Sequence, residues 1–189
     1  MTQRREQVIF AGLLVVFAMM TRLLFNALHI YNFSAVMAAA LFAGASLSQK
    51  RLGYLIPVVT MLLSDLVLGV YDWRLMSVVD GAFLFAILLG QFYSSRPTLL
   101  RWVGVVLGSS TLFFLVTNGA VWLFGGEGSA YEPTVAGLIR CYTMGLPFFR
   151  DRLIGDLFWS GALFGSYHLF ELRATRGVAR TSDEALLSA

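Results

Sequence analysis

Long apolar runs, each closed by a short polar or glycine-containing break, dominate this chain. Read as helices, they fall at about 8–25, 33–48, 53–70, 76–93, 100–124 and 153–172. Stretches of about 18 or more apolar residues are long enough to cross a bilayer. The breaks are His29-Ile30-Tyr31-Asn32, Lys50-Arg51, Tyr71-Asp72-Trp73-Arg74, Ser94-Ser95-Arg96-Pro97 and the glycine-rich stretch 125–133. Pro57 falls within the first turns of the third run. A further apolar stretch, 134–148, is interrupted by Arg140, Gly145 and Pro147, and at about 15 residues it is short for a span. The pattern therefore predicts an all-α integral membrane bundle of six transmembrane helices plus one short interfacial or re-entrant helix. Residues 1–7 form a short N-terminus, 8–172 the helical domain, and 173–189 a polar tail expected to be partly disordered.

Composition agrees with that pattern. Of 189 residues, 58% are hydrophobic and only 13% charged, where a soluble domain carries about 25% charged. The formal charge of +3 comes almost entirely from arginine. The basic residues cluster at the ends of apolar runs instead of gathering on one soluble face, which argues against a nucleic-acid partner. With the N-terminus inside, the inner segments contain Arg4, Arg5, Lys50, Arg51, Arg96, Arg101, Arg173, Arg176 and Arg180. The outer ones hold only Arg74, Arg140, Arg150 and Arg152, with Arg22 near the outer end of the first helix. The positive-inside bias then places both termini in the cytoplasm, and the first run reads as a retained helix instead of a cleaved signal. The single cysteine, Cys141, allows no intrachain disulfide and reads as a small apolar residue.

The same topology assigns a depth to each polar group in the spans. Arg22, Ser64 with Asp65, Asp80, Asn118 and Asp156 come from five different helices and all fall in the outer half. Such residues are costly in a bilayer, about 2.5–3.5 kcal/mol each on insertion scales, and normally face the bundle interior or a cavity. They can form a structural ion-pair network, with Arg22 opposite Asp65 or Asp80, or the wall of an outward-open ligand pocket. No carboxylate or histidine continues the path inward, so a proton relay is poorly supported. The rim carries Tyr31, Tyr71, Trp73, Tyr131 and Tyr142, as an interfacial aromatic belt also would. The stretch 134–148, followed by Phe149-Arg150-Asp151-Arg152, is placed to cover the pocket as a lid.

Small residues give a second signal. Ala35, Ala39 and Ala43 share one face of the second helix with Ala40 and Gly44 beside them, and the last helix has Gly161-x-x-x-Gly165. Spacing of four lets helices approach closely, within the bundle or against another membrane protein. The sequence holds no Walker A loop, no His-Glu-x-x-His and no nucleophile elbow, and His29 and His168 lie at opposite ends of the bundle. No cofactor, metal site or catalytic residue is expected. An intramembrane enzyme using two outer aspartates remains an alternative without a diagnostic spacing.

Four stretches carry a resemblance: NFSAVMAAALFAGA (32–45), LLSDLVLGVYD (62–72), FFLVTNGAVWL (113–123) and CYTMGLPFFRDRLIGDLFWSGALFG (141–165). They resemble the motifs of a small bacterial membrane-protein family of no assigned function, commonly labelled as candidate transport proteins. That family in turn looks like the substrate-binding S components of energy-coupling factor transporters. Asn32, Asp65, Asn118, Arg150 and Asp156 match its polar motif positions. The resemblance implies capture of a small polar, vitamin-like solute from outside at a bacterial inner membrane. It also implies a transmembrane coupling protein and ATPases as partners, beside membrane lipid. S components dock through an alanine-x-x-x-alanine face on the first helix, whereas here that helix has only Ala11 and Ala18. The expected substrate-binding residues are Arg22, Asn32, Asp65, Tyr71, Trp73, Asp80, Asn118, Arg140, Tyr142, Arg150 and Asp156. A pocket containing both arginines and aspartates suits a zwitterionic or polar heterocyclic ligand. The competing reading is a non-transporting scaffold whose outer charges only hold the helices together.

Overall fold

The structure is a computed structural model describing residues 2–125 and 131–187, with side chains described within 4–173 except 126–130 and 171. Most of the 125–133 break, and the side chains of Arg176 and Arg180, therefore lie outside the described residues. Six helices make up the described fold: α1 (Thr2–Ala27), α2 (Val36–Ser46), α3 (Lys50–Leu68), α4 (Trp73–Ser94), α5 (Leu99–Phe124) and α6 (Val135–Leu187). Local chemistry fixes several of their ends. The Asp72 carboxylate accepts from the Arg74 and Leu75 amides at the start of α4, and Thr98 Oγ1 accepts from the Arg101 amide at the start of α5. Gly69 follows α3 at φ 103°, a backbone conformation that glycine adopts without penalty.

The bundle is apolar outside as well as in its core, and the polar residues of its apolar helices point inward. On α1, Ile9, Leu13, Val16, Met20 and Leu24 are exposed at helical spacing, while Ala11, Leu14, Ala18 and Thr21 are buried. On α3, Leu55, Leu62, Leu66 and Val67 point outward, and Thr60, Ser64 and Asp65 point in. A soluble helix would be arranged the other way; lipid is the solvent that suits this one. Four helices, over Arg4–Ala27, Lys50–Leu68, Trp73–Ser94 and Leu99–Phe124, are long and apolar enough to cross a membrane.

That is four spans by length and composition, not the six expected from the sequence. α2 has 11 residues, about 16 Å at 1.5 Å per residue, roughly half the hydrocarbon thickness. It packs against all five other helices and is buried from Val36 to Gly44, so protein instead of lipid surrounds it. Its small residues serve this internal packing. A Cβ on Gly44 would collide with the Ile87 carbonyl, and one on Gly90 with the Leu41 carbonyl, so α2 and α4 meet backbone to backbone. Ala35, Ala39 and Ala43 are fully covered, which closes that face to docking.

The second difference is α6. The stretch 134–148 is not a separate interfacial or re-entrant element: helix runs unbroken through Gly145 and Pro147 and on to Leu187. Side-chain contacts set it antiparallel to α5. Tyr142 donates to the Leu115 carbonyl at 2.7 Å, Cys141 meets the Asn118 carbonyl at 3.4 Å, and Ser110 donates to Asp156 at 2.8 Å. Gly145 lies against Phe114 and Asn118. These contacts accompany a helix that continues past a proline that local signals read as a break; neighbouring helices commonly re-satisfy the backbone group a proline leaves free. At 53 residues, or about 80 Å, α6 is far longer than one crossing. The segment from 173, expected to be partly disordered, continues this helix to Leu187.

Candidate functional site

Arg22, five residues from the end of α1, meets Asp65, three from the end of α3, through an Nη2–Oδ1 ion pair of 2.7 Å. The two helices therefore run parallel, and α2 is the return between them. Arg22 Nη1 also donates to Ser64 Oγ, whose hydroxyl donates to the Thr60 carbonyl at 2.7 Å. The Asp65 side chain is 4% exposed, that of Arg22 20%. The pair stands in the bundle with Arg22 on the open side.

A second pair is deeper. Asp156 is fully buried, accepting from Ser110 at 2.8 Å and lying 3.5 Å from Arg152 Nε. Ser110 is in the middle of α5, so Asp156 lies near mid-bundle, deeper than the outer-half position expected of it. The depth changes because α6 begins at Val135, some 20 residues before the start assumed for the last span. The Arg152 guanidinium stacks 3.4 Å from the Phe113 ring centre and 5.3 Å from that of Phe83.

Between the two pairs is a cavity of about 350 Å³, within the usual range for small-molecule sites. Arg22, Phe25 and Asn26 line it from α1, and Ile30, Tyr31, Asn32, Phe33 and Ser34 from the α1–α2 link. Met61 and Leu68 of α3, Val79 and Phe83 of α4, Phe113 and Thr117 of α5, and Arg152 of α6 complete the wall. Every helix but α2 contributes. A smaller pocket of about 70 Å³ adjoins it, sharing Asn32, Phe113, Thr117 and Arg152 and adding Asn118.

The link is held in place by its own contacts. Thr21 Oγ1 accepts from the Ala35 amide at 3.1 Å at the start of α2. Trp159 Nε1 donates to the Phe33 carbonyl at 3.3 Å, and Phe33 stacks among Phe25, Phe158 and Trp159. Gly155 leaves the room that Phe33 occupies. Asn32 takes φ 66°, a left-handed conformation asparagine tolerates better than most residues.

The expected site residues divide. Arg22 and Asn32 line the cavity. Asp65 and Asp156 are buried behind the arginines and do not face it. Asp80 Oδ1 is buried without a hydrogen-bond partner, close enough to Arg22 and Asp65 to interact electrostatically. Asn118 faces the smaller pocket and donates to the Phe114 carbonyl at 2.9 Å. Tyr71, in the α3–α4 loop, lines neither pocket but is close enough to Arg22 and Asp65 to interact electrostatically. Its phenol is pushed above the ordinary value of 10.0, first by burial, then by the Asp65 carboxylate, with Arg22 opposing and Asp80 adding to the rise.

Four expected residues are elsewhere. Trp73 is 73% exposed, Arg140 is exposed, Tyr142 spends its hydroxyl on α5, and Arg150 pairs with its neighbour Asp151 at the surface. None of these four lines either pocket. The expected lid is likewise the first turns of α6 packed along α5.

Arg152 was the residue missed, along with Phe25, Phe33, Phe83, Phe113 and Thr117. The signal for Arg152 was present as the i,i+4 spacing to Asp156, visible once both are placed on one helix. At the opposite end of the bundle a larger cavity, about 700 Å³, is lined by Ser46, Tyr93, Thr98, Phe164, Tyr167 and His168 among others, with no Asp, Glu, Lys or Arg among the described residues. Among the described residues no group of three His, Cys, Asp or Glu could hold a metal ion.

The fold and cavity define a class: an all-helical bundle, four of whose described helices are long and apolar enough to cross a membrane, with paired charges and an arginine-bearing cavity at one end. The chain belongs to the family of unknown function DUF6580, which matches residues 2–179. No curated protein and no solved structure matches it.

Proposed function

We propose that the chain is a membrane-embedded solute-binding transport subunit that captures a small molecule in the cavity between Arg22 and Arg152. The observation that carries this reading is the cavity itself. Five helices and a tethered link enclose about 350 Å³ around two arginines, each braced from behind by a carboxylate. A network serving only to hold helices would be expected to close over its charges, because space beside a buried ion gains no packing.

In this reading the cavity opens to the outer face and both termini lie in the cytoplasm of a bacterium, on the strength of the arginine and lysine bias. α6 crosses beside α5, and α2 completes the return path inside the protein. A coupling protein with ATPases would supply energy, as for the S components the sequence resembles. Docking through alanine faces is not available, since Ala11, Ala18, Ala35, Ala39 and Ala43 are all buried. Any such partner must use another surface.

The second reading, a non-transporting scaffold, is favoured by the two ion pairs, which join α1 to α3 and tie α6, through Ser110, to α5. Native mass spectrometry of protein purified from rich medium separates the two. A solute-binding subunit carries a small molecule released on activation in the gas phase. Repeated preparations that are empty would favour the scaffold.

A further inference from the structure

We propose that the cavity selects an organic anion: a carboxylate held by Arg152 and Arg22, on an aromatic or otherwise apolar body. This rests on the solute-binding reading and names its ligand class. Among the described residues, Arg22 and Arg152 are the only charged ones on the cavity wall. The three carboxylates Asp65, Asp80 and Asp156 do not line it, so the wall offers a ligand positive charge alone. This departs from the zwitterionic or polar heterocyclic ligand expected of a pocket lined by both signs, because Asp65 and Asp156 pair with the arginines and none of the three aspartates lines the space.

Arg152 carries the argument furthest. It is only 8% exposed, its Nε has no hydrogen-bond partner, and among the described residues the guanidinium is held by one ion pair of 3.5 Å and by stacking on Phe113. A guanidinium has five N–H donors in a planar fork. Nε is buried without a bond, which is costly in a low-dielectric interior, and a carboxylate is the group whose two oxygens match the guanidinium fork. Arg22 still has donors left after Asp65 and Ser64. The remaining wall is largely aromatic, from Phe25, Phe33, Phe83 and Phe113, which suits a flat apolar body beside a charged head.

Three probes with one skeleton and different heads test this on the full chain in lipid nanodiscs: phenylacetate, phenylacetamide and phenethylamine, titrated by calorimetry. Phenylacetate should bind saturably and the other two about ten-fold more weakly or worse. Arg152→Gln alone strands Asp156, so the paired change Arg152→Gln with Asp156→Asn accompanies it. That double variant should keep a cooperative thermal transition and lose at least about ten-fold in phenylacetate affinity. If the amide or amine binds as well as the acid, the anion class is overturned while a solute site stands. If none of the three binds saturably, the anion on an apolar body is overturned, while the solute-binding reading stands or falls separately on the co-purifying adduct. Undiminished acid binding by the folded double variant removes Arg152 as the head group's partner. Displacement of phenylacetate by inorganic phosphate at equal concentration would overturn the apolar-body half.

Discussion

The Arg22–Asp65 pair predicts an asymmetry that a simple count of lost contacts does not. Replacing Asp65 by Asn keeps an oxygen that can accept from Arg22, and leaves a guanidinium that is 20% exposed toward the cavity and still bonded to Ser64. The loss is one charge-assisted contact, about 2 kcal/mol. Replacing Arg22 by Gln instead strands a carboxylate whose side chain is 4% exposed. Removing one partner of a buried pair costs about 3–5 kcal/mol. Arg22→Gln should therefore be the more damaging by about 1–3 kcal/mol, the difference of those two figures. The double variant should be less destabilised than the sum of the singles, because with both charges gone neither is stranded. The assay is reversible unfolding in mixed micelles with increasing denaturing detergent, followed by far-UV circular dichroism. The reasoning is refuted if Asp65→Asn costs as much as Arg22→Gln, or if both change stability by less than about 0.5 kcal/mol, the range of substitutions that touch nothing important.

Gly90→Leu drives a side chain into the Leu41 carbonyl where α2 and α4 touch, and should cost at least the 1–3 kcal/mol or so typical of overpacking; an unchanged melting temperature would contradict the close approach. Asp72→Ala removes the acceptor at the start of α4, so the Arg74 and Leu75 amides should exchange with solvent faster. Hydrogen bonding to Arg74 holds the Asp72 carboxyl below its ordinary value of 3.8. Its contribution to that cap should thus be full above that value and disappear as pH falls through the lowered one, which exchange at those two amides measures. Tyr71→Phe should remove an ionising component that titrates above pH 10.0 in the alkaline ultraviolet difference spectrum; because the folded value is raised, whatever stability the neutral phenol lends is present below that pH and lost as pH rises through the raised value.

Much of the fold was legible because lipid imposes simple rules. The apolar runs locate α3, α4 and α5 within three residues and α1 within six, and depth leaves Asp65 and Asp80 as the alternatives opposite Arg22, of which the structure pairs Asp65. α2 and α6 were misjudged for opposite reasons. α2 is apolar all round, as a lipid-facing helix would be, but its alanines and Gly44 fit a protein environment on every side. α6 carries Gly145 and Pro147, which are local stop signals, and was held helical by contacts with Leu115, Asn118 and Ser110 that no local pattern reveals. Treating 149–152 as loop hid Arg152, and the same error put Asp156 too shallow. Arg140 enters the expected site through depth, Trp73 as a rim aromatic, and Arg150 through a motif position as well. Depth does not say which side of a helix faces inward, and all three point out.

The central claim, that the cavity between Arg22 and Arg152 holds a solute, is tested most directly by filling it. Thr117 lines both pockets from α5, and Thr117→Trp would occupy the space with an indole. Native mass spectrometry of wild type and Thr117→Trp, purified side by side from rich medium, compares what each carries. We predict a small-molecule adduct on the wild type that is lost from the folded variant. An identical adduct on both proteins, or none on either, would contradict the account.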